Sequence, residues 1–367
     1  MIPELSPVAD ARKFLVPSVD HAVAPGHVPS FSVVIPAFQA AAHIGRAVES
    51  VLAQTAPALE IIVSDDGSTD QLAAALAPYG DRVRVVRGPN RGLPVARNRG
   101  FRAASGEFVA NLDADDVFYP EWLEAIGELA EARPDLDILT TNGYRTHGGR
   151  LRRCYGDHWA FEIENQRRAI LRGNFIHAFA AVRRTRFLEL GGFDEEIVSA
   201  WDLWLRMILG GSRAGCVDEV LFEYTAHEGS LSTAPGRAPD TAARVLEKAL
   251  SMDLSARERE EITIALAAER VRWESEMLHF ELASGEHQAR GRALRLALQR
   301  GHRFVPRLKM IAAAVAPGLA GRVLRRIDRL AAARVRRINL RHDVSHTSAP
   351  DADQSGLPIQ ETDSIPG

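Results

Sequence analysis

Over the first third of the chain, short apolar runs alternate with stretches of helical period. Residues 31–35, 59–63, 83–86 and 108–112 are too short for helices and end in Pro, Gly or Asp, which predicts buried strands. Pro36 closes the first run, because proline cannot donate to a ladder. Between the first two runs, His43, Ile44, Ala47, Val48, Val51 and Leu52 recur at helical spacing, predicting an amphipathic helix to about residue 54. Further helices are expected before residue 77, over 93–104 and over 120–132, and another strand over 136–141. Strand and helix repeated four times imply an α/β fold, with a mainly parallel central sheet flanked by helices and ligands at the carboxyl ends of the strands. Residues 142–166 read as an irregular polar connection, a binding loop whose Tyr144, Tyr155, His158, Trp159 and Phe161 either stack on a ligand or pack half-buried.

The unusual polar residues follow those strands. Pro36, Ala37 and Phe38 follow the first, Asp65, Asp66 and Gly67 the second, residues 88–92 the third, and Asp113, Ala114, Asp115 and Asp116 the fourth. Carboxylates this close repel one another, and a hard divalent cation, Mn²⁺ or Mg²⁺, offsets the repulsion while keeping positions open for phosphate oxygens. The alternative is a solvated Asp-rich turn capping the next helix. No GxGxxG or GxxxxGK[ST] follows the first strand, so phosphates would be held by the metal with help from Arg91 or Arg97. A departing diphosphate accumulates negative charge, which a cation at Asp115 would stabilise; displacement then needs a general base for the acceptor hydroxyl.

SVVIPAFQA, IIVSDDGSTD, NRGLPVARNRG and FVANLDADD, in this order over residues 32–116, resemble the nucleotide-binding half of the family 2 glycosyltransferases of GT-A fold. The resemblance implies metal-dependent, inverting transfer of a sugar from a nucleotide-diphosphate donor to a glycan or lipid-linked acceptor, in cell-surface polysaccharide or glycoconjugate synthesis. By the same likeness Pro36, Ala37 and Phe38 line the base pocket and Asp65 or Asp66 accepts a pyrimidine N–H. Gly92, Arg97, Asn98 and Ala114 belong to the same nucleotide-sugar site. Asp113 lies near ribose and metal, and Asp115 on the metal. The likeness runs on to residue 233, and its closing motif implies that His227 lies near the metal or diphosphate.

One departure concerns the base. The family commonly reads Glu-Asp-x-Asp-Leu-Trp-Leu-Arg where this chain has residues 199–206, so the usual base position falls on Ala200. Asp202 is the nearest carboxylate, though two helical positions turn it by about 200°. Asp194, Glu195 or Glu196 on the preceding loop could substitute, and Asp202 could simply favour the helix dipole. A catalytically impaired sugar-nucleotide or glycan-binding protein is therefore the sharper rival, and a scaffold working through its basic tail another. A nucleotidyltransferase fits less well, because PAFQA stands where a Gly-rich phosphate loop is expected.

Composition adds little to the first 235 residues. Hydrophobic content of 46%, charged content of 25% and a net charge of −3 describe an ordinary globular chain with no nucleic-acid signal. Cys154 and Cys216 are the only cysteines, which argues against a disulfide framework and fits a reducing compartment. No secretory signal pattern or long apolar span is read, so a cytoplasmic protein, or one peripheral on the cytoplasmic face of the membrane, is expected. The predicted organisation is an N-terminal arm (1–29), a GT-A domain (30–235, its nucleotide half ending at 118), a basic amphipathic helical region (236–342) and a disordered tail (343–367). Between 291 and 342, fourteen Arg or Lys stand against the single acidic residue Asp328. That suits an anionic membrane surface; packing on the domain or on a second copy of the chain is the alternative.

Overall fold

The computed structural model describes residues 12–18, 27–147, 150–156, 160–225, 236–284 and 289–298, with a few positions between 315 and 322. Its centre is a ten-stranded sheet. Strands β2 (Phe31–Ala37), β3 (Glu60–Asp65), β4 (Arg84–Arg87) and β5 (Phe108–Asn111) run parallel in the order β4-β3-β2-β5. In β2, β3 and β5 both faces are covered and the two-residue period splits the apolar residues between two cores, whereas Val85 of β4 is exposed. Val33 and Ile35 enter one core and Val34 the other; in β3, Ile61 and Val63 oppose Ile62. Helices α1 (Ile44–Leu52) and α4 (Trp122–Ala132) cover the first face; α3 (Leu93–Ala103) and α7 (Trp201–Leu209) cover the second. A short helix α2 (Leu72–Leu76) sits between β3 and β4.

Beyond β5 the sheet is mixed. Strand β9 (Ala181–Arg183) lies antiparallel between β5 and β7 (Ile138–His147), and β10 (Ala214–Thr225) runs parallel to β7. Part of the connection expected to be irregular is ordered ladder: β7 extends to His147, and β8 (Arg150–Arg153) folds back on it. Tyr155 and Phe161 are buried in the second core, so they build the domain and do not face a sugar; His158 and Trp159 lie outside the described residues. A two-residue strand β6 (Val117–Phe118) pairs with β10, and β1 (Phe14–Leu15) from the N-terminal arm pairs with β10 at the sheet's edge. Short helices α5 (Gln166–Ile170) and α6 (Arg184–Glu189) complete the domain.

The core expected to close near residue 235 continues into the helical extension. Val245, Leu246 and Ala249 of α8 (Arg237–Ala249), Leu254, and Ile262 and Leu266 of α9 (Ala256–Ser284) are buried in the second core with Leu203 and Trp204. The far end of α9 and α10 (Ala289–Leu298) share a small separate core of Leu278, Leu282, Ala289, Ala293 and Leu296. Helix α9 starts with a reciprocal cap: the Ser255 N–H and hydroxyl donate to Glu258 at 2.8 Å, and the Glu258 N–H donates to Ser255 Oγ at 3.3 Å. The Arg167 hydrogen bond, followed by the Ser255 N–H, brings the Glu258 carboxyl down to about 2. A depressed carboxylate contributes stability above its unfolded value and loses it on acidification. Glu258→Gln should therefore cost about 1 kcal/mol at neutral pH, in chemical denaturation, with the difference fading between pH 4.5 and about 2.

Candidate active site

The loops after β2, β3 and β4 are laced together by side chains. Gln39, at φ 52°, accepts from the Thr69 and Asp70 N–H groups at 2.9 and 3.0 Å, while its own N–H donates to Ser68 Oγ at 3.0 Å. A non-glycine residue in the left-handed region is held there by such bonds. The lacing leaves Phe38 50% exposed at the rim, next to buried Pro36 and Ala37. Gln39 is a site-shaping residue that sequence reasoning missed, since a glutamine in a loop carries no pattern.

Asp65 and Asp66 reach the same rim but spend their oxygens on the protein. Asp65 accepts from the Ser68 N–H at 2.8 Å and pairs with Arg87 at 3.3 Å. Asp66 accepts the Arg91 and Gly92 N–H groups at 3.1 and 2.7 Å and pairs with Arg99 at 3.3 Å. Gly67, at φ +78°, lets the two loops touch: a Cβ there would lie 2.8 Å from the Asn90 nitrogen. The Asp66 carboxylate therefore shapes the 88–92 loop, leaving backbone and Phe38 surface at the opening.

Helix α3 braces the carboxylate turn. Arg97, 5% exposed, donates to Asn111 Oδ1 at 3.1 Å and to both Asp113 oxygens at 2.8 and 3.0 Å, and Asn111 donates to Asp113 at 3.1 Å. Arg97 is thus committed to Asn111 and Asp113 and braces the carboxylate turn. Asn98 is fully buried and exchanges both amide groups with the Phe193 backbone, at 2.9 and 2.8 Å. Gly192, at φ +88°, is required beside it, since a Cβ would come within 2.5 Å of Asn98 Oδ1. Asn98 therefore joins the two halves of the domain and does not line the crevice. Ala114 packs in the first core.

Asp115 is half-buried, and Asp116 is 1% exposed. One Asp116 oxygen accepts the Thr225 N–H at 2.7 Å; the other is buried with no partner among the described residues. Burial, then the charges of Asp113 and Asp115, push the Asp116 carboxyl up to about 9 despite that bond. An orphaned carboxylate oxygen beside two more acidic groups fits a divalent cation. No cluster of three or more His, Cys, Asp or Glu able to hold a metal occurs among the described residues, so the fit is to a cation completed by substrate oxygens. His227 lies outside the described residues.

The candidate bases are separated by their partners. Asp202 is 2% exposed; Arg206 donates to Oδ2 at 2.9 and 2.7 Å and Lys248 of α8 pairs with Oδ1 at 2.9 Å. Both Asp202 oxygens are held by cations, one on α7 itself and one on α8. Lys248 also binds Asp194 at 2.5 Å, and Asp194 accepts the Glu196 and Ile197 N–H groups. Burial raises the Asp194 carboxyl, but the Lys248 hydrogen bond leads a group of effects that leaves it below the usual range. Glu195 and Glu196 are exposed, and Glu195 meets Arg91 across the crevice at 3.1 Å. Ala200 is 7% exposed and packed in the second core.

Residues 32–191 match the family model described as Glycosyl transferase family 2. Over those residues, under half of the chain, the sequence is similar to the family 2 glycosyltransferases. The glycosyltransferase YibD of Escherichia coli (strain K12) is 41% identical over 114 residues, 30% of this chain; the match spans 33% of that relative's own length. Staphylococcus aureus TarS 1–349 in complex with UDP-GlcNAc superposes with a TM-score of 0.55 at 20% identity, covering 82% of this chain and 92% of that one. The mannosyltransferase PcManGT of Pyrobaculum calidifontis, in complex with GDP-Man and Mn²⁺, gives 0.52 at 18%, covering 85% and 88%. These superpositions show that the glycosyltransferase domain has the GT-A fold, as its sequence motifs imply.

Proposed function

We propose that this chain transfers a sugar from a nucleoside-diphosphate donor to a hydroxyl of a glycan or lipid-linked acceptor, with inversion, in the synthesis of a polysaccharide or glycoconjugate. The observation that carries the reading is the carboxylate turn at Asp113, Asp115 and Asp116, with a buried oxygen unpartnered among the described residues, at the strand ends of the segment that matches the family model. The donor base rests on Phe38 against Pro36 and Ala37. Asp113, held by Arg97 and Asn111, accepts from the ribose or faces the cation. Asp115, with Asp113 and Asp116 beside it, would hold Mn²⁺ or Mg²⁺, which when bound supplies Lewis-acid stabilisation of the departing diphosphate. His227 would stand near that diphosphate.

For the base, Glu195 replaces Asp202. It lies on the loop that Asn98 pins through Phe193, it is exposed, and its one described cation, Arg91, is itself 62% exposed and so exchangeable with solvent or substrate. The basic segment 291–342 would rest on the anionic cytoplasmic face of a membrane, or on a second copy of the chain. No helix among the described residues is long and apolar enough to cross a membrane.

The experiment is nucleoside-diphosphate release from a panel of UDP-, dTDP- and GDP-sugars with Mn²⁺, with and without an acceptor. Turnover of one donor is expected. Glu195→Gln should lower acceptor-dependent turnover by about 10²-fold while nucleotide affinity is retained; full activity in that variant would remove Glu195 as base. The second reading, a domain that binds but does not transfer, is favoured by the buried apolar setting of Ala200. Donor binding with no turnover would establish it.

A further inference from the structure

The β7–β8 hairpin carries a charged cluster that the donor chemistry does not use. Its register sets Arg145 opposite Arg152. Like charges directly opposed on neighbouring strands are destabilising. Arg145 and Arg152 are both exposed, and among the described residues neither has a carboxylate within ion-pair distance; their neighbour Arg153, in contrast, reaches Asp218 at 3.4 Å. On the inner side Arg145 faces Tyr224 of β10, its guanidinium 5.6 Å from the ring centroid. Such stacking fixes the plane of the guanidinium and leaves its N–H donors pointing outward.

The cluster is close to the reaction centre. Thr225, next to Tyr224, is the residue whose N–H binds Asp116. Strand β10 therefore separates the carboxylate turn from β7, which sets Arg145 about two strand spacings, ~10 Å, from Asp116. The hairpin thus stands across β10 from the carboxylate turn, on the strands that follow it in the chain.

We propose that Arg145 and Arg152 together bind a phosphate or carboxylate on the acceptor, so that the acceptor of this domain is an acidic chain and not a neutral glycan. The word acceptor rests on the glycosyltransferase reading above. Paired guanidinium forks suit a tetrahedral or planar anion, and opposed cations that are unfavourable alone become favourable around it.

The test uses the full chain, with uronate-bearing oligosaccharides, their carboxyl-reduced neutral counterparts and a polyol-phosphate oligomer as probes. Binding is measured by calorimetry at low salt and at about 0.5 M salt. The acidic probes should bind about tenfold or more tighter than the neutral ones, with the preference collapsing at high salt. Arg145→Gln/Arg152→Gln should abolish the preference, Arg145→Lys/Arg152→Lys should keep part of it, and UDP affinity should stay within about twofold. Equal binding of acidic and neutral probes, or a preference that survives the Gln pair, overturns the proposal. Loss of UDP affinity in the Gln pair would assign the cluster to the donor and overturn it too. So would a defect confined to phosphatidylcholine vesicles containing phosphatidylglycerol, which would make the cluster a membrane contact. If the arginine-dependent preference is found but no donor is ever turned over, the anion site stands and the glycosyltransferase reading falls.

Discussion

Asp115→Asn should lower sugar transfer, and donor hydrolysis without acceptor, by on the order of 10²-fold or more, while the melting temperature of the metal-free protein stays the same or rises slightly. The two expectations have one cause. Three carboxyl groups share the turn, and burial together with Asp113 and Asp115 drives Asp116 up to about 9. Removing the Asp115 charge relieves that repulsion in the metal-free state and removes a cation ligand in the active one. Mn²⁺ should accordingly raise the melting temperature of the wild type more than that of Asp115→Asn, because a ligand stabilises only by binding the folded state. A variant equally active with Mn²⁺, or equally stabilised by it, would show that the turn is a solvated cap and that the chemistry lies elsewhere. Asp113→Asn is a poorer probe, since it leaves the buried Arg97 guanidinium without its carboxylate and confounds folding with activity.

How much of this was legible in the sequence follows the range of the interactions. The strands from β2 to β5 were readable because each is an uninterrupted apolar run, and the crevice was readable because every run ends in polar residues. Alternation even fixes which residues of β2 enter which core, although the sequence alone does not say that there are two. The β7–β8 hairpin was missed because residues 144–153 are mostly Arg, Thr, His and Gly, with only Tyr144 and Leu151 apolar, which gives no hydrophobic alternation. The Gly148-Gly149 pair between two such stretches was the available signal. Asn98 and Arg97 looked like ligand-facing residues because they sit in a motif at the rim. Which way a helical side chain turns depends on partners 95 residues away for Asn98 and only 14 and 16 away for Arg97, and no local pattern encodes the former. The base was the least legible feature. Helical spacing turns Asp202 by about 200° from position 200; Arg206, four residues on, was readable as a partner for one oxygen, but nothing near it announced the cation on the other.

That cation is Lys248, and replacing it should have the largest effect on stability of any single change considered. Lys248 is 34% exposed, yet it holds Asp202, which is 2% exposed, and Asp194 at once. In Lys248→Met, Asp202 keeps Arg206 on one oxygen and loses the partner of the other. Breaking a fully buried pair costs about 3–5 kcal/mol; the exposure of the lysine and the remaining arginine reduce this to about 2–3 kcal/mol. The melting temperature should fall by roughly 5–10 °C. Acid should narrow the gap: Asp194 is held below its ordinary 3.8, so the stability it contributes is present above that pH and lost as the pH falls further, in the wild type and not in the variant. Lys248→Met and Asp202→Asn should be coupled by about 0.5–3 kcal/mol in a double-mutant cycle, and that coupling separates a broken ion pair from a merely disturbed α8. Turnover should fall in the single variant even below its melting temperature, since Asp194 fixes the loop that carries Glu195 through the Glu196 and Ile197 N–H groups. Wild-type stability in Lys248→Met would mean that the helical extension is held by its apolar contacts and by pairs such as Arg167–Glu258, without Lys248.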